Sequence, residues 1–137
     1  MTNDVPAWIA FFLGLYSLAA AVGEWRTPGT WAAMLRDFET SPGLRFLTGL
    51  TCMALGAAIY LACPWREGDW LAITINVLGG LCVVEGMAIL AAGDRFMGFA
   101  QKLMGKASGV LTGFAALVGA ALVLAALSRI GTVAAAV

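Results

Sequence analysis

Four apolar stretches, each long enough to cross a lipid bilayer, constrain this chain more than any other feature. They cover about residues 7–23, 45–64, 70–92 and 108–128. A bilayer core requires about 20 apolar residues per helix, and a helix satisfies its own backbone hydrogen bonds there. The sequence therefore predicts an all-α integral membrane protein with four transmembrane helices and the lipid bilayer as its solvent.

Composition agrees with this class and excludes several others. Hydrophobic residues make up 61% of the chain and charged residues only 12%, against about a quarter charged in soluble domains. The eight basic and eight acidic residues cancel, so nucleic acid is not an expected partner. Histidine is absent, and Cys52, Cys63 and Cys82 lack the spacing of a metal site. We expect no metal, no cofactor and no enzymatic activity.

The distribution of positively charged residues between the loops predicts how the chain is oriented across the membrane. The loops after the first and third stretches contain most of the basic residues, namely Arg26, Arg36, Arg45, Arg95, Lys102 and Lys106. Only Arg66 and Arg129 lie on the other side, so the two longer loops should be cytoplasmic and both termini external. Tryptophans anchor membrane proteins at headgroup level, and here they are Trp8, Trp65 and Trp70 outside and Trp25 and Trp31 inside.

Each cytoplasmic loop contains a short segment with one apolar helical face. In the first, at about 28–40, Thr27 and Pro28 form a cap and first turn, and Ser41 with Pro42 and Gly43 ends the segment. Its apolar stripe comprises Trp31, Met34, Leu35 and Phe38. In the second, at about 94–105, Asp94 is the predicted cap. Both are predicted to be interfacial helices, which either anchor the turns or offer a docking surface.

The two halves of the chain are similar to each other. A shift of 65 residues places Leu13 and Gly14 on Leu78 and Gly79, and a shift of 64 matches residues 47–49 with 111–113. The matched positions are mostly small residues at helical spacing. We therefore predict two tandem hairpins with one orientation, residues 1–66 and residues 67–137.

A family resemblance extends over most of both halves. In the first half it rests on Pro28, Trp31, Met34, Leu35, Pro42, Leu44, Arg45 and Gly49, and in the second on Leu78, Gly79, Glu85, Gly86 and the apolar run after Gly113. With these residues the chain resembles the YjeT-like family of small bacterial inner-membrane proteins, which are single hairpins with an interfacial segment between two spans. The resemblance implies a duplicated hairpin, a place in the bacterial inner membrane and an accessory role. Together with the distribution of Lys and Arg, this places both termini on the periplasmic side.

Glu85 is the candidate functional residue. It precedes Asp94 by nine residues, which places it about 13 Å from the cytoplasmic end of its span. An ionised carboxylate exposed to lipid there costs about 3 kcal/mol or more, and small residues at Gly79, Cys82 and Gly86 predict that it points inward or toward a partner. Two interpretations remain open: a proton-handling or cation-recognising site, or a neutral carboxyl group that holds two helices together.

Small residues predict how the helices associate. Helices in lipid pack closely where such residues recur, and the predicted packing positions are Gly14, Gly49, Gly56, Gly79, Gly86, Gly105, Gly109 and Gly113. The favoured function is a structural or accessory subunit that contacts other membrane subunits or itself. The alternative is a small proton-coupled transporter or channel that works as a homo-oligomer through Glu85. A membrane-surface adaptor using the two loop helices is a third class.

Overall fold

The computed structural model of the chain describes residues 4–63 and 65–135. These residues form the helices α1 (Val5–Arg26), α2 (Thr30–Thr40), α3 (Pro42–Ala62) and α4 (Trp70–Ala135). Four helical segments are long and apolar enough to cross a membrane: Val5–Arg26, Pro42–Ala62, Trp70–Lys106 and Gly109–Thr132. The all-α prediction with four long apolar helices is confirmed, and the described residues contain no strand.

Side-chain caps and prolines set the boundaries of α1 and α3. Asp4 accepts a hydrogen bond from Ala7 N–H at 3.3 Å at the start of α1. Ser41 ends α2 and also begins α3, where its hydroxyl accepts from Leu44 N–H at 3.3 Å and Pro42 occupies the first turn. Proline suits this position because its missing N–H would have no partner there. The predicted end of the first loop helix is therefore confirmed.

The start of α2 differs from the prediction. Thr27 ends α1, and Gly29 precedes α2 with a φ of 91°, in the left-handed region that favours glycine. The predicted pair of Thr27 as cap and Pro28 as first turn is therefore wrong. The backbone turns at Gly29 after the proline, and α2 begins at Thr30.

Residue 94 does not begin a separate helix. The sequence predicted a new segment capped by Asp94, whereas α4 continues through it without a break. The physical reason is that the chain has no proline after residue 64, so no proline ring interrupts the backbone hydrogen bonds of the helix here.

Helix α4 folds back on itself. A straight helix of 66 residues would be about 100 Å long, yet Leu71 and Ile75 near its start share one buried cluster with Leu122 and Ala126 near its end. We call Trp70–Lys106 the first limb and Gly109–Thr132 the second limb. Alanines of α1 and Ile59 and Cys63 from the end of α3 complete the cluster, which therefore joins all four long segments at one end.

Glycines mark the closest approaches between helices. A Cβ atom on Gly56 of α3 would lie 2.6 Å from the carbonyl oxygen of Gly79, and one on Gly86 would lie 2.6 Å from that of Gly49. These contacts pair α3 with the first limb. Gly14 of α1 pairs with the second limb, where a Cβ would lie 2.8 Å from the carbonyl oxygen of Gly119. In both helix pairs, α3 with the first limb and α1 with the second limb, the two backbones approach as closely as small residues permit.

The remaining predicted packing glycines have no such neighbour. A Cβ atom added to Gly105, Gly109 or Gly113 would meet nothing within 4 Å in the described part of the chain. Close packing within the chain is therefore not found at these three glycines among the described residues, and their packing in a homo-oligomer stays a prediction. The sequence pattern identifies a surface that a helix can approach closely, but it does not specify which helix approaches.

Candidate functional site

The side chain of Glu85 is exposed on the first limb. Its neighbour Gly86 is buried and packs directly on α3. Because successive residues of a helix point about 100° apart, the close-packed face belongs to Gly79 and Gly86 and Glu85 lies beside it. Glu85 was expected to point inward or toward a partner. Its side chain lies beside the contact with α3 rather than within it, and contact with a partner stays a prediction.

Glu85 lines a cavity of about 210 Å³. The wall comes from three helices and is otherwise uncharged, and its members include Leu35, Phe38, Thr48, Cys52, Ile89, Phe96, Met97, Ala100, Leu103, Met104 and Leu111. Thr48 donates its hydroxyl to Leu44 C=O of its own helix at 2.8 Å, so this donor is already used. A single carboxyl group therefore faces an apolar cavity.

No hydrogen bond or salt bridge to Glu85 occurs within residues 4–63 and 65–135. A carboxyl group can donate one hydrogen bond when protonated, or accept several when ionised. In an apolar surrounding the ionised form is stable only with a cation or strong donors nearby. The site can therefore hold a proton, take a hydrogen bond from another helix, or bind a cation.

Helix α2 contributes its apolar stripe to this part of the molecule. Leu35 and Phe38 line the Glu85 cavity, and all four stripe residues line a second cavity of about 360 Å³ beside α1. At its other end, Glu39 Oε2 accepts from Gln101 Nε2 at 2.8 Å. The stripe of α2 thus faces the long helices, and its polar end is attached to the first limb.

Glu24 is a buried carboxylate that the sequence pattern did not reveal. It is only 6% exposed, and its two oxygens accept hydrogen bonds from Gly29 N–H and Trp31 N–H, both at 2.9 Å. These are backbone donors at the start of α2, which have no partner inside the helix. The sequence signal for this buried role is weak, because a glutamate at the end of an apolar span is ordinarily exposed to solvent.

A second polar cluster connects the opposite end of the molecule. Arg129 lies 2.9 Å from Asp4 Oδ2 through Nε and 2.6 Å from Asp69 Oδ1 through Nη1. The Arg129 hydrogen bond holds the pKa of Asp69 below its ordinary value of 3.8, against the opposing effect of burial. This cluster connects the starts of α1 and α4 to the end of the second limb.

The other singled-out residues have simpler surroundings. Asn76 is buried, and its amide donates to Ala72 C=O of its own helix at 3.0 Å. Cys63 is buried with Sγ 3.7 Å from Ala72 C=O, whereas Cys52 and Cys82 are half-buried. Four tryptophans are exposed and one is half-buried: Trp8, Trp25, Trp65 and Trp70, and Trp31.

The structure is that of a helical protein with four segments able to cross a membrane, and Glu85 and Asp94 are exposed carboxyl groups on one of these segments. Comparison with family models, with curated proteins and with solved structures found no match to this chain.

Proposed function

We propose that this chain is a non-enzymatic structural or accessory subunit of a membrane complex, which acts through helix–helix contacts. The observation that carries the proposal is Glu85, an exposed carboxyl group inside a span with no partner among the described residues. Leaving it in lipid costs about 3 kcal/mol or more if it is ionised. A helix from another subunit that donates a hydrogen bond or a positive charge removes that cost.

The open glycine face supports the same function. Gly109 and Gly113 lie four residues apart on the second limb and Gly105 lies at the end of the first limb. A Cβ atom on any of them would meet nothing within 4 Å in the described chain. In lipid such a face gains nothing from hydrophobicity, but it allows another backbone to approach and pack closely. The chain thus offers other helices two surfaces, a polar one at Glu85 and one of small residues. This suits a protein that acts through helix–helix contacts.

We also propose how the helices are arranged and oriented in the membrane. The two halves form tandem hairpins, and α2 and the region around residues 94–105 lie at the cytoplasmic interface. The distribution of Lys and Arg supports external termini. The resemblance to the YjeT-like family supports the bacterial inner membrane and an accessory role. Reporter domains fused to the two termini test the orientation, since both should report the periplasm.

The direct test of the proposed function is the mass of the complex extracted from native membranes in mild detergent. Native mass spectrometry should find the chain together with unrelated membrane subunits at a fixed ratio. A homo-oligomer alone would instead support contact between copies of the chain. A monomer that keeps its fold in every mild detergent would contradict the proposal.

The alternative function is a small proton-coupled transporter or channel that works as a homo-oligomer. One observation favours it: Glu85 faces a cavity of about 210 Å³ rather than a flat surface. A carboxyl group in an apolar cavity can take up and release a proton when a cation exchanges with it. Proton flux into liposomes that contain the purified chain, lost in Glu85→Gln, would establish this alternative. Absence of flux in the wild type would exclude it.

A further inference from the structure

A cavity of about 450 Å³ opens between the start of α3 and the first limb. Its wall contains one cationic residue, Arg45, and one anionic residue, Asp94, beside the apolar side chains of Phe46, Ile89 and Leu90. It shares Ile89 with the wall of the Glu85 cavity, but Arg45 and Asp94 line this cavity alone, and nothing in the proposed function uses them.

The charges of this cavity lie at the depth of lipid headgroups. Asp94 follows Trp70 by 24 residues on one helix, which is about 36 Å of rise against a hydrocarbon core of about 30 Å. Ile89 and Leu90 precede Asp94 by four and five residues, or about 6–7 Å deeper. The cavity is therefore charged at the membrane surface and apolar toward the membrane interior.

Arg45 and Asp94 do not neutralise each other. The salt bridges of the described residues all involve Arg129, so the Arg45 guanidinium and the Asp94 carboxylate line one cavity without bonding across it. The Arg45 stem passes close to Gly93, since a Cβ there would lie in ordinary van der Waals contact, 3.5 Å from Arg45 Cδ. The arginine stem thus extends across α3 to the first limb, beside the residue that precedes Asp94.

We propose that this cavity binds the headgroup of an aminophospholipid, with the phosphate on Arg45 and the primary ammonium on Asp94. Arginine matches phosphate through its fork of N–H donors, and a carboxylate accepts from an ammonium group. The acyl chains would run along Phe46, Ile89 and Leu90. An anionic headgroup without an amine leaves Asp94 unsatisfied, and a choline headgroup has no N–H to donate to it.

The test is lipid retention by the full chain in mild detergent, measured by native mass spectrometry with equal amounts of phosphatidylethanolamine, phosphatidylcholine and phosphatidylglycerol. Phosphatidylethanolamine should be retained on the order of 10-fold over each of the others, the ratio expected from one charge-assisted hydrogen bond. Equal retention of the three lipids, or preference for phosphatidylglycerol, would overturn the proposal. This comparison uses only the wild-type chain and does not depend on a variant that folds.

Two variants test which charged residue binds which part of the headgroup. Arg45→Gln should abolish the retention of phosphatidylethanolamine, and Asp94→Asn should remove its advantage over phosphatidylcholine. Arg36→Gln and Asp37→Asn, which change exposed charges on α2, are the matched controls and should retain the wild-type ratio. Full retention in Arg45→Gln would overturn the assignment. Displacement of the lipid by water-soluble phosphoethanolamine at equal concentration would identify a free phosphate ester as the ligand and overturn the lipid proposal.

Discussion

Arg129 holds Asp69 through two parallel hydrogen bonds, from Nη1 to Oδ1 at 2.6 Å and from Nη2 to Oδ2 at 3.1 Å, although the two residues are 60 positions apart. The pair holds the two limbs of α4 together, because it fixes the end of the second limb beside the start of the first limb. Arg129 also reaches Asp4, so that one guanidinium connects three segments of the chain.

Asp69→Asn should lower the free energy of unfolding by about 1–3 kcal/mol, because it removes charge-assisted hydrogen bonds from a partly buried arginine. The measurement is reversible unfolding in detergent micelles, followed by tryptophan fluorescence. Glu67→Gln removes an exposed carboxylate from the same loop between α3 and α4 and is the matched control. Equal stability of the two variants would show that the pair contributes nothing.

The same pair predicts the direction of a pH effect. The folded pKa of Asp69 is lowered from 3.8, so its contribution to stability is present above that value and is lost as the pH falls through the folded pKa. Stability of the wild type should therefore decline below pH 3.8 more steeply than that of Asp69→Asn. Parallel acid-unfolding curves for the two proteins would contradict this assignment.

Gly86→Ala should destabilise the contact between α3 and the first limb by about 1–3 kcal/mol, the usual effect of overpacking. The added Cβ would lie 2.6 Å from both the Gly49 carbonyl oxygen and the Met53 nitrogen, and backbone atoms cannot rotate away. Gly80→Ala has nothing within 4 Å and should be neutral or slightly stabilising. Thermal unfolding of both variants in one detergent makes the comparison, and a stable Gly86→Ala protein would refute the close approach.

Glu24→Gln should loosen the start of α2. The amide of glutamine places a donor where Glu24 now accepts from a backbone N–H, so Gly29 or Trp31 loses its partner. Amide hydrogen exchange at Gly29 and Trp31 should accelerate on the order of 10-fold. Asp37→Asn removes an exposed charge from the same helix and should leave these amides as they are. Unchanged exchange in Glu24→Gln would mean that the turn is held by other contacts.

The long helices were predictable because lipid imposes a simple requirement of length and apolarity. The sequence also identified the end of α2 at Ser41, where a capping hydroxyl, a proline and a glycine follow one another. These are local signals that depend on neighbouring residues only. They need no knowledge of how the chain packs.

The contacts over long distances were not predictable in this way. Glu24 acts on N–H groups that reach it only after the turn at Gly29. The pair Pro28–Gly29 is typical of a turn, but it does not indicate which side chain those N–H groups will meet. Glycines at Gly14 and Gly113 look alike in sequence, yet only Gly14 has a helix against it. The exposure of Glu85 likewise depends on its angle to the packed face, which is set by the tertiary contact at Gly86.

Glu85 is proposed to form a contact with another subunit, and paired substitutions at this residue test that contact. The measurement is the fraction of the chain that remains in its complex after extraction from native membranes, for the wild type, Glu85→Gln and Glu85→Leu. Glutamine retains a hydrogen-bonding group of the same size and should keep the complex, whereas leucine should reduce that fraction on the order of 10-fold. Wild-type amounts of complex in both variants would contradict the claim.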